Sequence, residues 1–171
     1  MRMRNENLSY RSIALPPIDL DPTLECVAPE VREGLAYWQK QAAGRPMPLR
    51  SDIRPEDIVR LLPHLCLFEL RKVPGGFDIF PRLAGSKFEE VFGPIHNKPL
   101  PAVLAPEILE RWRSAAAALL EIGAPLRATG RVLHQDKSFI RFEMIMAPLS
   151  TTGAEIDMLY LVTHFSMTGE A

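Results

Sequence analysis

A chain of 171 residues is long enough for one domain with a sizeable core and short for two. Hydrophobic residues make up 47% and charged residues 24%, as in ordinary globular proteins, and 20 basic against 21 acidic side chains leave a formal charge of −1, which gives no overall electrostatic reason to expect nucleic acid or an anionic membrane as partner. No run approaches the roughly 20 apolar residues of a membrane span, no secretory leader is visible, and Cys26 and Cys66 show neither CxxC nor zinc spacing, so a reduced, cytoplasmic protein is expected.

Residues 1–27 mix polar residues with Pro16, Pro17 and Pro22, show no period, and read as a poorly ordered arm. From there a single domain is expected over 28–168, opening with a helical lead-in over 28–63. Pro29 suits a helix N1 position and Glu30 its first turn. Val31, Leu35, Trp38 and Ala42 recur at helical spacing, and Gly44 can cap the helix in left-handed conformation. After a proline-marked connection, a second helix is expected from Pro55, carrying Ile58, Leu61 and Leu62 and ending near Pro63.

Leu65 to Leu70 suits a buried strand. Pro74-Gly75-Gly76 is a turn, and Phe77 to Leu83 answers as the antiparallel partner. Pro81 places that partner at an edge or a bend. Ser86-Lys87-Phe88-Glu89 has the pattern of a capping box, and Gly93-Pro94 ends the short helix it opens. Pro106 opens the longest helix, with Ile108, Leu109, Trp112, Ala116, Leu119 and Leu120 as its apolar stripe and Gly123 closing it. Three strands follow, near 126–135, 139–149 and 156–166, with hairpin-length connections. Two strands, a helical crossover and three meandering strands describe an α+β roll: a five-stranded antiparallel sheet with helices on one face, preceded by the N-terminal helices.

The pieces Tyr37-Trp38, Gly44-Arg45, Pro48, Arg50, Asp52-Ile53, Pro55, Leu62-Pro63, Arg82-Leu83-Ala84-Gly85 and Phe92-Gly93, in that order and spacing, resemble a bacterial, mainly alphaproteobacterial, family of small PAS-like proteins formerly catalogued as a domain of unknown function. The resemblance covers about 28–168 and is strongest from 37 to 93. It implies a PAS fold, usually as the only domain, with no attached kinase, cyclase or DNA-binding module. Two departures are local. Arg54 stands where the pattern usually has an acidic or similar capping residue before the proline, and Pro94-Ile95-His96-Asn97-Lys98 replaces a more polar turn.

No motif in the chain presents a catalytic centre. The four histidines, His64, His96, His134 and His164, form no HExxH or paired zinc motif, and GxSxG is absent. Ala84-Gly85-Ser86-Lys87 lacks the full phosphate-loop spacing, and no flavin-adduct signature occurs. His96 lies where haem-binding PAS domains can place an axial ligand, but a lone histidine in a turn is more simply solvated, and no cofactor is assigned. Arg82 alternates with Phe80 and Ala84 on an apolar strand; an ion pair to Asp52 or Glu89, or a ligand anion, would account for it.

The expected function is a non-enzymatic sensory or adaptor domain that binds a small ligand, a protein partner or both, with pairing into a homodimer through the apolar face of the N-terminal helix. The ligand is expected between the helices and the concave sheet face, with Phe80, Arg82, Trp112, Phe142, Met144, Tyr160 and His164 as wall residues. The competing expectation is a small isomerase- or dehydratase-like enzyme on the same kind of roll, using Asp78, Asp157 or His164 in a pocket.

Overall fold

A computed structural model describes residues 15–167, so the first fourteen residues of the expected arm lie outside the described residues. The elements run β1 (Asp19–Asp21), α1 (Pro29–Ala42), β2 (Leu65–Val73), β3 (Gly76–Ala84), α2 (Ser86–Phe92), α3 (Pro106–Ile122), β4 (Leu126–Arg131), β5 (Ile140–Leu149) and β6 (Met158–Met167), with short 3-10 turns between α1 and β2 and before α3. The strands form one antiparallel sheet in the order β1-β4-β5-β6-β2-β3. The α+β roll is as expected, with one strand added: β1, drawn from the arm, pairs Asp19 with Thr129 and Asp21 with Arg127 at the edge of β4.

Helices cover both faces of this sheet. On one face lie α2, α3 and the loop between them, packed on Cys66, Phe68, Phe142, Met144, Met146, Leu159 and Leu161. On the other lies the lead-in, with Val31, Leu35, Trp38 and Ala42 of α1 over Leu65, Leu67, Ile145, Ala147, Tyr160 and Val162. Strand alternation explains the division. Even-numbered residues of β5 and odd-numbered residues of β6 meet α2 and α3, and the opposite parity meets α1. Both strands therefore read as near-continuous apolar runs, the mark of a strand buried on both sides.

Pro29 occupies the first turn of α1 as expected, and Ala43, rather than Gly44, takes the left-handed cap at φ 51°. The lead-in after α1 is not a second α-helix. Arg50–Asp52, Pro55–Asp57 and Val59–His64 are 3-10 turns, interrupted at Ile58 and containing Pro63. Proline within the last of them removes an amide donor and crowds the preceding turn, which forbids a continuous α-helix but tolerates the short 3-10 form.

The start of α2 also differs from the expected capping box. Gly85, not Ser86, is the N-cap, and no side chain caps it. Glu89 instead turns outward and accepts the amide of His96 at 3.1 Å. Gly85 is fixed there because its amide donates to Leu65 O at 2.8 Å, and the chain passes so close to the preceding turn that a Cβ would sit 2.4 Å from the carbonyl oxygens of Leu62 and Pro63.

Candidate ligand-binding site

Between the sheet and the two helices α2 and α3 lies a cavity of about 40 Å³. Its floor is built from alternate residues of adjacent strands: Phe142, Met144 and Met146 of β5, and Leu159, Leu161, Thr163 and Phe165 of β6. Phe68 and Ile79 extend it into β2 and β3, Phe88 and Phe92 of α2 and Trp112 of α3 form the roof, and Ile18, just ahead of β1, also lines it. The aromatic side chains are interlocked. Trp112 stacks on Phe68 with ring centroids 5.8 Å apart and meets the ring of Phe92 edge-on at 4.9 Å. At roughly 10–15 Å³ for one water, the cavity has room for about three water-sized groups as it stands.

Among the described residues, two polar groups break this apolar lining. Arg111 of α3 is 7% exposed, and its guanidinium meets backbone carbonyls: Nε donates to Pro16 O at 2.9 Å and Nη1 to Arg131 O at 2.8 Å. Burial pushes the guanidinium down from its ordinary pKa, and the nearby Asp19 charge opposes that shift. The second group is the hydroxyl of Thr163, which is 1% exposed and has no hydrogen-bond partner among the described residues. A buried hydroxyl left unpaired costs about 1–3 kcal/mol, which makes this position a place where a ligand group or a water would be stabilised.

The PAS domain family matches residues 28–162, a span that contains α1 and all of the sheet except β1 and the end of β6. The chain belongs to the PAS domain family. No curated protein and no solved structure matches it.

Three of the seven wall residues expected from the sequence, Trp112, Phe142 and Met144, meet at the cavity of this PAS domain. The other four lie elsewhere. Phe80 lies under the guanidinium of Arg71, whose Cζ stands 3.7 Å from the ring centroid. Arg82 is exposed and pairs with Glu69 at 3.2 Å, rather than with Asp52 or Glu89. It sits beside a register shift in the β2–β3 ladder, where Leu67 opposes Leu83 and Phe68 opposes Pro81, so Arg82 is left over as the bulged residue. Tyr160 and His164 belong to the opposite face. The Tyr160 hydroxyl donates to Gly34 O at 2.8 Å, beneath α1, and His164 Nδ1 lies 3.1 Å from Glu30 Oε2.

Asp78, Asp157 and His164, the residues of the enzymatic alternative, do not converge. Asp78 pairs with Arg113 at 2.7 Å. Asp157 accepts the Thr151 amide at 2.8 Å within the β5–β6 connection, and His164 faces Glu30. None of the three lines the cavity. His96 is exposed, its Nδ1 accepting the amide of Ala84 at 3.2 Å. Among the described residues no group of three or more His, Cys, Asp or Glu side chains is placed to hold a metal ion, and no helix is long and apolar enough to cross a membrane.

Arg111 and Thr163 escaped the sequence reading, although both carry a positional signal. Arg111 falls three residues after Ile108 and four before Ala115, inside the apolar face of α3, and Thr163 shares β6 parity with Leu159, Leu161 and Phe165.

Proposed function

We propose that this PAS domain is a non-enzymatic sensory or adaptor domain of bacterial signalling, working in the cytoplasm, which holds a small ligand in the cavity beneath α2 and α3 and passes its state to a protein partner or to a second copy of itself. The observation that carries this reading is the cavity itself: an apolar space at the centre of the family-matched region, walled by deformable methionines and containing an unpaired hydroxyl. The order of motif residues from Tyr37 to Gly93 supports the bacterial setting.

The route from cavity to surface is short. Met144 and Met146 line the cavity while Ile145, between them, packs under the lead-in; Leu159 and Leu161 alternate with Tyr160 and Val162 in the same way. A ligand that displaces the β5–β6 pair therefore displaces the floor on which α1 rests, and it shifts the population of α1 positions by its differential affinity for them. Output through α1 and its surroundings follows from that connectivity.

Native mass spectrometry of the purified full chain tests both halves of the reading. Retention of a small molecule, or stabilisation on adding one, is the expected sign of a sensor, and a dimer or a captured partner is the expected sign of output. A bare monomer that no small molecule stabilises and no partner joins would remove the reading.

A further inference from the structure

The chemistry of the ligand follows from the two polar groups, on the reading of the cavity as a ligand site. Among the described residues Arg111 is the only charged one that lines it. Nε and Nη1 are held by neutral carbonyls of Pro16, Arg131 and Val132, while Nη2 has no hydrogen-bond partner among the described residues. Space is kept for that nitrogen: a Cβ on Gly130 would lie 3.0 Å from Nη2 and 3.3 Å from the Phe142 ring. A buried guanidinium remains charged: its hydrogen-bond partners are neutral carbonyls, and the Asp19 charge acts on it without an ion-pair contact among the described residues. One cation facing an otherwise apolar space matches one negative charge. A dianion would carry a second charge with no partner in the lining.

We propose that the cavity takes a compact monocarboxylate, its carboxylate against the Arg111 guanidinium with Thr163 as a further hydroxyl donor, and its apolar body among Trp112, Phe142 and Met144. The available 40 Å³ sets the size. A body of up to three carbons fills that space, the carboxylate needs Met144 and Met146 to move aside, and a long acyl chain does not fit. The same arginine holds Pro16, and Ile18 lines the cavity, so the segment ahead of β1 lies over the ligand and is ordered by the group that binds it.

The test is a titration of the full chain, labelled with [13C]methyl methionine, with isobutyrate and with its neutral isostere isobutyramide. Isobutyrate is expected to shift the Met144 and Met146 methyl resonances saturably and to bind at least about tenfold more tightly than the amide. Arg111→Met is expected to abolish that preference. Thr163→Val, which keeps the side-chain shape, is expected to weaken isobutyrate severalfold without loss of melting temperature. Equal affinities for acid and amide would overturn the carboxylate assignment and leave the cavity standing as a ligand site. No saturable shift with either probe would overturn this inference, and retained ligand in native mass spectrometry would then judge the sensor reading separately. The acid–amide comparison on the unaltered protein decides the matter even if Arg111→Met does not fold.

Discussion

Glu143 on β5 accepts the backbone amide of Ala28 at 2.7 Å, across 115 positions of sequence, and so fixes the start of α1 to the sheet. The same carboxylate accepts the Val27 amide at 2.9 Å and the Arg127 guanidinium at 2.6 Å, and Arg127 lies 4.0 Å from Asp21 on β1. One buried acid therefore ties together the lead-in helix, the central strand and, through Arg127, the edge strand from the arm. A negative charge beside a helix N-terminus is also favoured by the helix dipole.

Replacing Glu143 by Gln should cost about 2–3 kcal/mol, because it weakens charge-assisted hydrogen bonds at a position that is 8% exposed. Its pH dependence has a definite sign. Burial pushes the carboxyl up from its ordinary value of 4.5, but the Ala28 and Val27 amides and Arg127 outweigh burial and hold it below that value. A carboxyl with a lower pKa folded than unfolded stabilises the protein above the unfolded value, and that contribution disappears as pH falls through the folded value. Urea unfolding of both proteins should thus show a stability gap near neutrality that narrows below about pH 4. A gap unchanged in acid would show that the charge on Glu143 is not what matters.

The contact between α1 and β6 makes an opposite-signed prediction to helix propensity. Gly34 lies inside α1, where Ala ordinarily gains up to about 1 kcal/mol. Here an added Cβ would sit 2.7 Å from Val162 Cβ, and the carbonyl of Gly34 must stay 2.8 Å from the Tyr160 hydroxyl. Gly34→Ala should therefore destabilise by about 1–3 kcal/mol. Val162→Ala removes the two Cγ methyls, 2.7 and 3.0 Å from the added Cβ, but keeps the Val162 Cβ, so the double variant is expected to be only partly relieved, with a coupling of about 0.5–1 kcal/mol in its favour. Strict additivity in thermal or chemical unfolding would contradict the close packing.

Particular residues show why some features were legible in the sequence and others were not. The Pro74-Gly75-Gly76 turn, the stripe of α1 and the long helix from Pro106 follow from local rules, and the structure contains them. Strand β1 does not: Asp19-Leu20-Asp21 has no strand signal of its own and exists through pairing with β4. The helix expected after Pro55 gave way to 3-10 turns because two prolines and the break at Ile58 outweigh the spacing of its apolar residues. The site was legible in part for a related reason. Alternation sorts β5 and β6 into two faces, but a sheet covered on both sides gives no local sign of which face holds the cavity. Tyr160 and His164 therefore fell under α1 while Met144 fell at the cavity, and the bulge beside Arg82 further displaced the parity of β3.

Gly85→Ala separates steric need from conformational need. Gly85 has φ −69° and ψ 155°, which any residue adopts, so nothing in its backbone angles demands glycine. The demand comes from the carbonyl oxygens of Leu62 and Pro63, 2.4 Å from a would-be Cβ, and those are backbone atoms that cannot rotate away. The substitution should cost about 3 kcal/mol or more, at the large end for a single change, by separating α2 from the turn before β2. A circular-dichroism melt showing less than about 1 kcal/mol of loss would mean that the two segments are free to move apart.

The two cysteines give a direct reading of that separation. Cys66 on β2 is fully buried, and burial above all pushes its thiol up to about 12, with the Gly85 amide opposing and the Glu89 charge adding. At pH 8 that leaves a thiolate fraction on the order of one in ten thousand, besides the steric block. Cys26 is only half-buried, although burial and the charge of Glu143 raise its pKa as well. Iodoacetamide at pH 8 should therefore modify Cys26 alone in the native protein, as read by intact and peptide mass, and Cys66 should react only through opening of the core. Where opening and closing are fast relative to alkylation, the Cys66 rate follows the open population. Gly85→Ala should then accelerate Cys66 far more than Cys26, by about two orders of magnitude for a 3 kcal/mol loss. Modification of Cys66 at the rate of Cys26 in the unaltered protein would mean that β2 is exposed without unfolding, and the buried position of that strand between β6 and β3 would have to be abandoned.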